Sequence, residues 1–209
     1  MRILVTNDDG FDADKALEDI KNPIEIISVM DVVNGVPSYS LDSTPADCVR
    51  IGKEYLKFDF DLLLSGVNDG YNLGEDILYS GTVGAATEAV LQGKKAIAFS
   101  TEYKNKDLSI ETIKSVLDFI FKNDILKKAN LLNINIPKDP KDIVFTKQGN
   151  THFDLKVKKI ATRVKQTGKA CLEKEKENIN SDVWAVLHNH ISITPLIIDR
   201  TDFSFFKES

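Results

Sequence analysis

Two adjacent carboxylates, Asp8 and Asp9, follow the short apolar run Ile3-Leu4-Val5 and stand between Asn7 and Gly10. Oxygen ligands of this kind suit a hard cation such as Mg²⁺, Mn²⁺ or Ca²⁺, and two neighbouring carboxylates repel each other when no cation lies between them. Asp-Gly is also a common turn dipeptide, so a plain turn would use the same residues. A second group lies between Ser65 and Gly74, where Asn68 and Asn72 offer neutral amide oxygens and N–H donors on a glycine-rich stretch. Its plain alternative is a turn that needs Asn and Gly for positive φ. A third group, Ser80-Gly81-Thr82, opens a helical pattern, and its backbone N–H groups and two hydroxyls could hold phosphate oxygens or simply cap the helix.

The elements around these residues alternate. Arg2 to Thr6 reads as a buried strand stopped by turn residues, Asp14 to Lys21 as a short amphipathic helix, and Ile24 to Val29 as a second strand. Ser43 or Thr44 can cap the next helix, with Pro45 in its first turn and Val49, Ile51, Tyr55 and Leu56 on its apolar side. Asp61 to Ser65 is a dense apolar strand that breaks into the glycine-rich loop. Small residues from Gly81 to Gln92 fit a helix packed close to a sheet, with Val83, Ala86, Val90 and Leu91 facing the core and Gly93 as its stop. A strand over Ala96–Ser100, a helix capped by Ser109 and a strand over Leu131–Ile136 continue the alternation. Parallel strands need helical crossovers, so this order predicts an α/β fold with a doubly wound, mainly parallel sheet. It also puts the Asp8 and Asp9 pair at a strand's carboxyl end, where open α/β sheets bind ligands.

From Ile143 to Val164 and from Val183 to Ile198 the pattern alternates in strand fashion around the charged run Glu173 to Glu177, which predicts a projecting antiparallel β-hairpin arm in the C-terminal part. No repeat or low-complexity linker divides the 209 residues. The expectation is one domain over 1–209, with a core over about 1–140 and the arm and last strands over about 141–209.

Composition narrows the functional classes. The hydrophobic fraction is 42% and the charged fraction 28%, as in globular proteins, and no run approaches the roughly 20 apolar residues that span a bilayer. The expected location is cytoplasmic, with no membrane partner. Cys48 and Cys171 have no metal-binding spacing and fit a reducing compartment. A net charge of -5 gives no general field for a nucleic-acid polymer, so a small anionic substrate would need a local positive site such as a metal ion or a helix N-terminus. His188 and His190, two apart on one expected strand face, lack a third ligand and read as surface residues. Trp184 and the Phe203-Ser204-Phe205-Phe206 tail read as subunit packing.

Taken in order, the motifs resemble the SurE family of metal-dependent 5′-nucleotidases and acid phosphatases. The resemblance rests on Met1 to Gly10, on Thr44-Pro45-Ala46-Asp47-Cys48-Val49, and on Ser65-Gly66-Val67-Asn68 together with Gly74 to Val83. Leu132 to Pro137 and Ile191 to Leu196 look like the family's later strands. It implies a Rossmann-like core and a projecting hairpin used to form a homodimer or homotetramer. It also implies hydrolysis of a small-molecule phosphate ester, a nucleoside monophosphate in particular, with a divalent metal ion, Mg²⁺ or Mn²⁺, as cofactor. By position Asp8, Asp9 and Asn68 match the family's metal ligands, and Asn72, Ser80, Gly81 and Thr82 match residues lining the phosphate site. Asp8 and Asp9 are thereby the expected catalytic pair.

Two departures stand out. Phe11-Asp12-Ala13-Asp14 replaces a His-Ala-Pro-Gly-like segment, and Met30 to Ser40 replaces a loop in which an Arg-Ser-Gly serine is a further ligand. Ser38 is the nearest substitute and Ser40 the next. Two functional readings follow: a working metallophosphatase, or a shortened member that binds metal, phosphate or nucleotide as an oligomer with little turnover.

Overall fold

The computed structural model describes residues 1–7, 28–33, 36–105, 108–151, 156–160, 163–167 and 178–206, of which 28–33, 36–38, 160, 163 and 166–167 are described as backbone alone. Six strands form the main sheet. They are β1 (Ile3–Thr6), β4 (Leu62–Asp69), β5 (Lys95–Thr101), β6 (Leu131–Ile136), β7 (Ile143–Phe145) and β10 (Ile191–Leu196), in the order β1-β4-β5-β6-β10-β7. The first four run parallel, β10 is antiparallel to β6, and β7 is parallel to β10. The sheet is therefore mainly parallel, as the alternation of elements predicts.

Helices cover both faces. On one side, α1 (Pro45–Glu54) and α2 (Gly81–Leu91) bury Val49, Val83, Ala85, Ala86 and Ala89 against Leu63, Ala96, Ala98 and Leu131. The small residues of α2 let its axis approach the strands closely. On the other side, α3 (Ile110–Lys122) sets Val116 and Ile120 on Ile97, Phe99, Leu132, Ile134 and Ile193, with the short α4 (Ile125–Lys128) adding Ile125. Caps begin these helices as read from sequence: Thr44 Oγ1 accepts from Asp47 N, Ser80 Oγ from Val83 N and Ser109 Oγ from Thr112 N. Tyr55 and Leu91, expected on apolar sides, are exposed at the ends of their helices. No described helix is long and apolar enough to cross a membrane.

Three expectations are corrected. The segment Met30–Ser40 is not a simple connection: β2 (Ser28–Val33) and β3 (Val36–Ser40) pair antiparallel with each other, apart from the main sheet, and Tyr39 packs edge-on to Phe58 after α1. Val33 pairs with Val36 across the dipeptide Asn34-Gly35, a hairpin signal in the sequence itself. The C-terminal antiparallel hairpin pairs β8 (Lys156–Ile160) with β9 (Arg163–Thr167), within 156–167 rather than between the 143–164 and 183–198 stretches, and the Glu173–Glu177 run lies outside the described residues. Finally, Val183 to Leu187 is not strand but helix α5 (Asp182–Leu187), capped by Ser181. Val183, Val186 and Leu187 are spaced to pack on Leu73, and His188 closes the helix while His190 precedes β10 across the left-handed Asn189. The two histidines thus share no strand face; both stack on Trp184, at 4.7 and 5.5 Å. The expected helix over Asp14–Lys21 lies outside the described residues.

α1 and α2 are joined by charge as well as by packing. Arg50 reaches Glu88 at 2.8 Å and Asp47 at 3.4 Å. Burial pushes the Glu88 carboxyl upward, but Arg50 and Gln92 outweigh it and hold it below its usual 4.5. Burial likewise raises Asp47, and the hydroxyls of Ser43 and Thr44 with Arg50 bring it below 3.8. Carboxyls depressed in the folded state stabilise above their unfolded values and lose that contribution as pH falls through the folded ones. Because Arg50 is 58% exposed, solvent screening limits the link to about 1 kcal/mol. Arg50→Met should therefore lower the melting temperature by about 2–4 °C at neutral pH. The deficit should persist down to pH 4.5 and shrink below it. Calorimetry of both proteins across that range checks this, and a deficit independent of pH would contradict it.

Candidate functional site

β4 carries the site's first element. Its ladder is interrupted at Gly66, whose φ of +113° and distance from the Phe99 carbonyl, 2.3 Å from where a Cβ would stand, admit no other residue without displacement. The ladder with β5 shifts between Ser65 and Asn68 and then resumes, with Asn68 opposite Ser100. Asn68 is half-buried at this carboxyl end, and its Nδ2 donates to the Gly70 carbonyl at 2.7 Å. The amide is thereby oriented with Oδ1 toward Thr82, whose Oγ1 donates to it at 3.4 Å.

α2 carries the second element. Ser80 Oγ accepts from Val83 N at 3.1 Å, and the helical ladder begins with Gly84 N to Ser80 O at 2.9 Å. Ser80, Gly81 and Thr82 thus form the positive end of an eleven-residue helix beside Asn68. Here the fold brings together three of the phosphate-site candidates and one metal-ligand candidate.

Asn72 stands differently. It is 7% exposed, and its Nδ2 donates to Ser100 Oγ at 2.7 Å, so it forms the floor of the loop rather than its rim. Of the other expected ligands, Asp8 and Asp9 lie outside the described residues; β1, which precedes them in sequence, ends at Thr6 opposite Ser65. Ser38 falls in β3 with its side chain outside the described residues, and Ser40 ends β3 half-buried. Among the described residues no group of three His, Cys, Asp or Glu could hold a metal ion. A cation here would draw its carboxylates from Asp8 and Asp9, and the oriented amide oxygen of Asn68 is the kind of donor that fits a hard cation beside them.

Several residues that hold the loop were not singled out from sequence. Asp182 is fully buried, and it accepts from Gly74 N at 2.9 Å, Gly149 N at 2.8 Å and Val183 N at 2.8 Å. Burial pushes its carboxyl above the usual range, and the three N–H groups only partly offset this. Gly74 and Gly149 are required by the closeness of these strands of chain: a Cβ on Gly74 would lie 2.9 Å from Thr151 N, and one on Gly149 2.9 Å from Asp182 Oδ1. Glu75 accepts from both the backbone N and the hydroxyl of Thr151. Asn133, Asn135 and Ser100 meet Asn72 from the sheet. Their signal in the sequence is two asparagines at period 2 inside an apolar strand, which places both on one buried face.

Two cavities flank these elements. A groove of about 890 Å³ starts at Ser80 and runs along α2, with Lys147, Gln148 and Arg200 on its other wall. A smaller one of about 240 Å³, lined by Met1, Asp61 and Lys95, lies away from the site, at the amino-terminal ends of β1, β4 and β5.

Comparison with known proteins is consistent throughout the chain. Residues 17–155 match the family model described as survival protein SurE. A protein of Acinetobacter baumannii named 5′-nucleotidase SurE is 35% identical over 219 residues, covering 95% of this chain and 82% of the relative. One of Syntrophomonas wolfei with the same name is 34% identical over 247 aligned positions, covering all of this chain and 93% of the relative. That alignment is longer than the 209 residues present, so this relative carries segments that this chain lacks. Among solved structures, the SurE protein of Aquifex aeolicus superposes with a TM-score of 0.70 at 32% identity, over 91% of this chain and 79% of that one.

The Asp182 clamp yields a stability test. In Asp182→Asn the amide nitrogen would face a backbone N–H of Gly74 or of Gly149 and Val183, leaving a buried donor without an acceptor, at about 1–3 kcal/mol. The melting temperature should fall by roughly 3–10 °C. Hydrogen exchange at the Gly74 and Gly149 amides should accelerate more than in α3. Unchanged exchange at both glycines would mean that the clamp does not hold the loop.

Proposed function

The chain belongs to the SurE family, and we propose that it is a divalent-metal-dependent phosphomonoesterase that hydrolyses nucleoside monophosphates or similar phosphate esters. The observation that carries this reading is the meeting of Asn68 Oδ1 with Thr82 at the positive end of α2, at the sheet edge beside the strand that leads into Asp8 and Asp9. Relatives named 5′-nucleotidase support the substrate class.

In this reading Asp8, Asp9 and Asn68 hold the cation, with Ser38 as a further ligand, and Mg²⁺ or Mn²⁺ supplies Lewis acidity toward a phosphoryl oxygen. Ser80, Gly81 and Thr82 receive the remaining phosphate oxygens at the helix terminus, where partial positive charge is fixed before the substrate arrives. Asn72 supports them from below. Asp8 or Asp9 takes the proton of the attacking water, and the ester oxygen leaves with a proton from solvent. The exposed β8–β9 hairpin, with lysines at 156, 158, 159 and 165, supplies a contact surface for a homodimer or homotetramer.

A second reading has its own observation: the chain is shorter than the relatives it matches, and the family resemblance implies that Met30 to Ser40 stands where a ligand-bearing loop would be. In that case it binds metal and phosphate or nucleotide with little turnover.

Chelation and charge removal separate the two. EDTA should abolish hydrolysis of p-nitrophenyl phosphate or a nucleoside monophosphate, and Mg²⁺ or Mn²⁺ should restore it. Asp8→Asn and Asp9→Asn should each lower kcat by about a hundredfold or more. Each should also reduce the rise in melting temperature that metal produces, while stability without metal holds or rises as the carboxylate repulsion is relieved. Full activity in chelator would remove the metal from the mechanism. A wild type that turns over no ester, yet is stabilised by metal through Asp8, would establish the binding-protein reading.

A further inference from the structure

On the α2 side of the main sheet, the registered rows change character from one end of the strands to the other. Leu63, Ala96, Leu131 and Leu196 make an apolar row. The next row on that face is Ser65, Ala98, Asn133 and Thr194, and the one after it contains Ser100, Asn135 and Ser192. Asn133, Asn135 and Ser100 are all 0% exposed. Burying polar groups so deeply opposes folding unless they are used, and replacing such a set by apolar residues of similar shape is often neutral or better.

Their use converges on one residue. Asn133 Nδ2 and Asn135 Nδ2 both donate to the Asn72 carbonyl, at 2.8 and 3.0 Å. Asn135 Oδ1 accepts the Asn72 N–H at 2.9 Å, and Ser100 Oγ accepts from Asn72 Nδ2 at 2.7 Å. The carboxamide of Asn135 thus takes both backbone polar groups of Asn72, as a peptide group of a neighbouring strand would. Backbone and side chain of Asn72 are fixed together. Asn133 Oδ1, by contrast, has no hydrogen-bond partner among the described residues. Core packing alone would not call for an asparagine there.

We infer that Asn133, Asn135 and Ser100 are positioning residues: through Asn72 they set the loop that presents Asn68 beside the α2 terminus, and so the geometry in which the phosphate is held. This rests on the phosphatase reading given above. None of the three touches substrate. Their effect is on alignment, where displacement of about 1 Å can lower a rate by about a hundredfold.

The test compares Asn135→Leu and Ser100→Ala with Ile134→Val, a buried change on the same strand but its opposite, α3-facing side. Steady-state kinetics on p-nitrophenyl phosphate with saturating Mn²⁺ are measured beside each melting temperature. Asn135→Leu should lower kcat at least about tenfold and Ser100→Ala several-fold, whereas Ile134→Val should retain kcat even where its melting temperature falls as far. If Asn135→Leu does not fold, the milder Ser100→Ala carries the comparison. Wild-type kcat in the folded variants, or an equal loss in Ile134→Val, overturns the inference. If the wild type hydrolyses no ester, it is the phosphatase reading that fails. Calorimetric titration with inorganic phosphate and Mn²⁺ then decides positioning on its own: weaker binding in Asn135→Leu and Ser100→Ala but not in Ile134→Val supports it, and equal affinities or no binding by the wild type overturn it.

Discussion

A chain that leaves a strand and folds back across the buried end of a sheet takes its N–H and C=O groups out of water, and each must find a partner. From Gly70 to Glu75 this requirement shapes the molecule. Gly70 N bonds the Thr101 carbonyl, Asn72 is held by side chains of β5 and β6, and Gly74 N ends on Asp182. Because these partners are side chains, the loop need not join the sheet as another strand. It can stay at the edge with Asn68 turned toward the first turn of α2. The small contact faces of Gly66, Gly74 and Gly149 follow from the same requirement, since the partners can reach only where no Cβ intervenes.

The two faces of the sheet divide the work. Toward α3, Ile97, Phe99, Leu132, Ile134, Ile136 and Ile193 form a continuous apolar surface. Toward α2, the apolar part is confined to the amino-terminal half, and the carboxyl half is given to hydroxyls and amides, with Thr146 Oγ1 bonded to Ser192 and Thr194 at 2.7 Å each. Apolar burial toward α3 thus runs the length of the strands, while the carboxyl half of the α2 face carries polar groups instead.

What the sequence discloses is what local physics decides. The strands from Leu62 to Ile136 and the helices between them carry caps, periods and stops within a few residues, and so do the Ser80-Gly81-Thr82 turn and the Asn68 loop. Asn68 and Thr82 each stand at an element end that the pattern marks, but their meeting depends on how α2 packs beside β4, which the pattern does not give. α5 was not legible either, because Val183-Trp184-Ala185-Val186-Leu187 suits a strand as well as a helix, and packing on Leu73 decides between them. The pairing of Val33 with Val36 has its signal in the dipeptide Asn34-Gly35. The roles of Asn133 and Asn135 are of another kind: the pattern shows two polar residues on one face of a strand, but not that both reach residue 72, more than sixty positions away.

The separations spanned by these bonds have a consequence for how the protein comes into being. Gly74 and Asp182 are 108 positions apart, and Asn72 and Asn135 are 63. During synthesis from the N-terminus, β4, α2 and β5 emerge well before the partners that fasten the loop between them. The nascent chain can gather a sheet while the segment from Gly70 to Glu75 still has water for its partner, and the last restraint arrives only when the residues around Asp182 clear the ribosome. The final geometry of the loop thereby waits on residues more than a hundred positions downstream of it, through chain order alone.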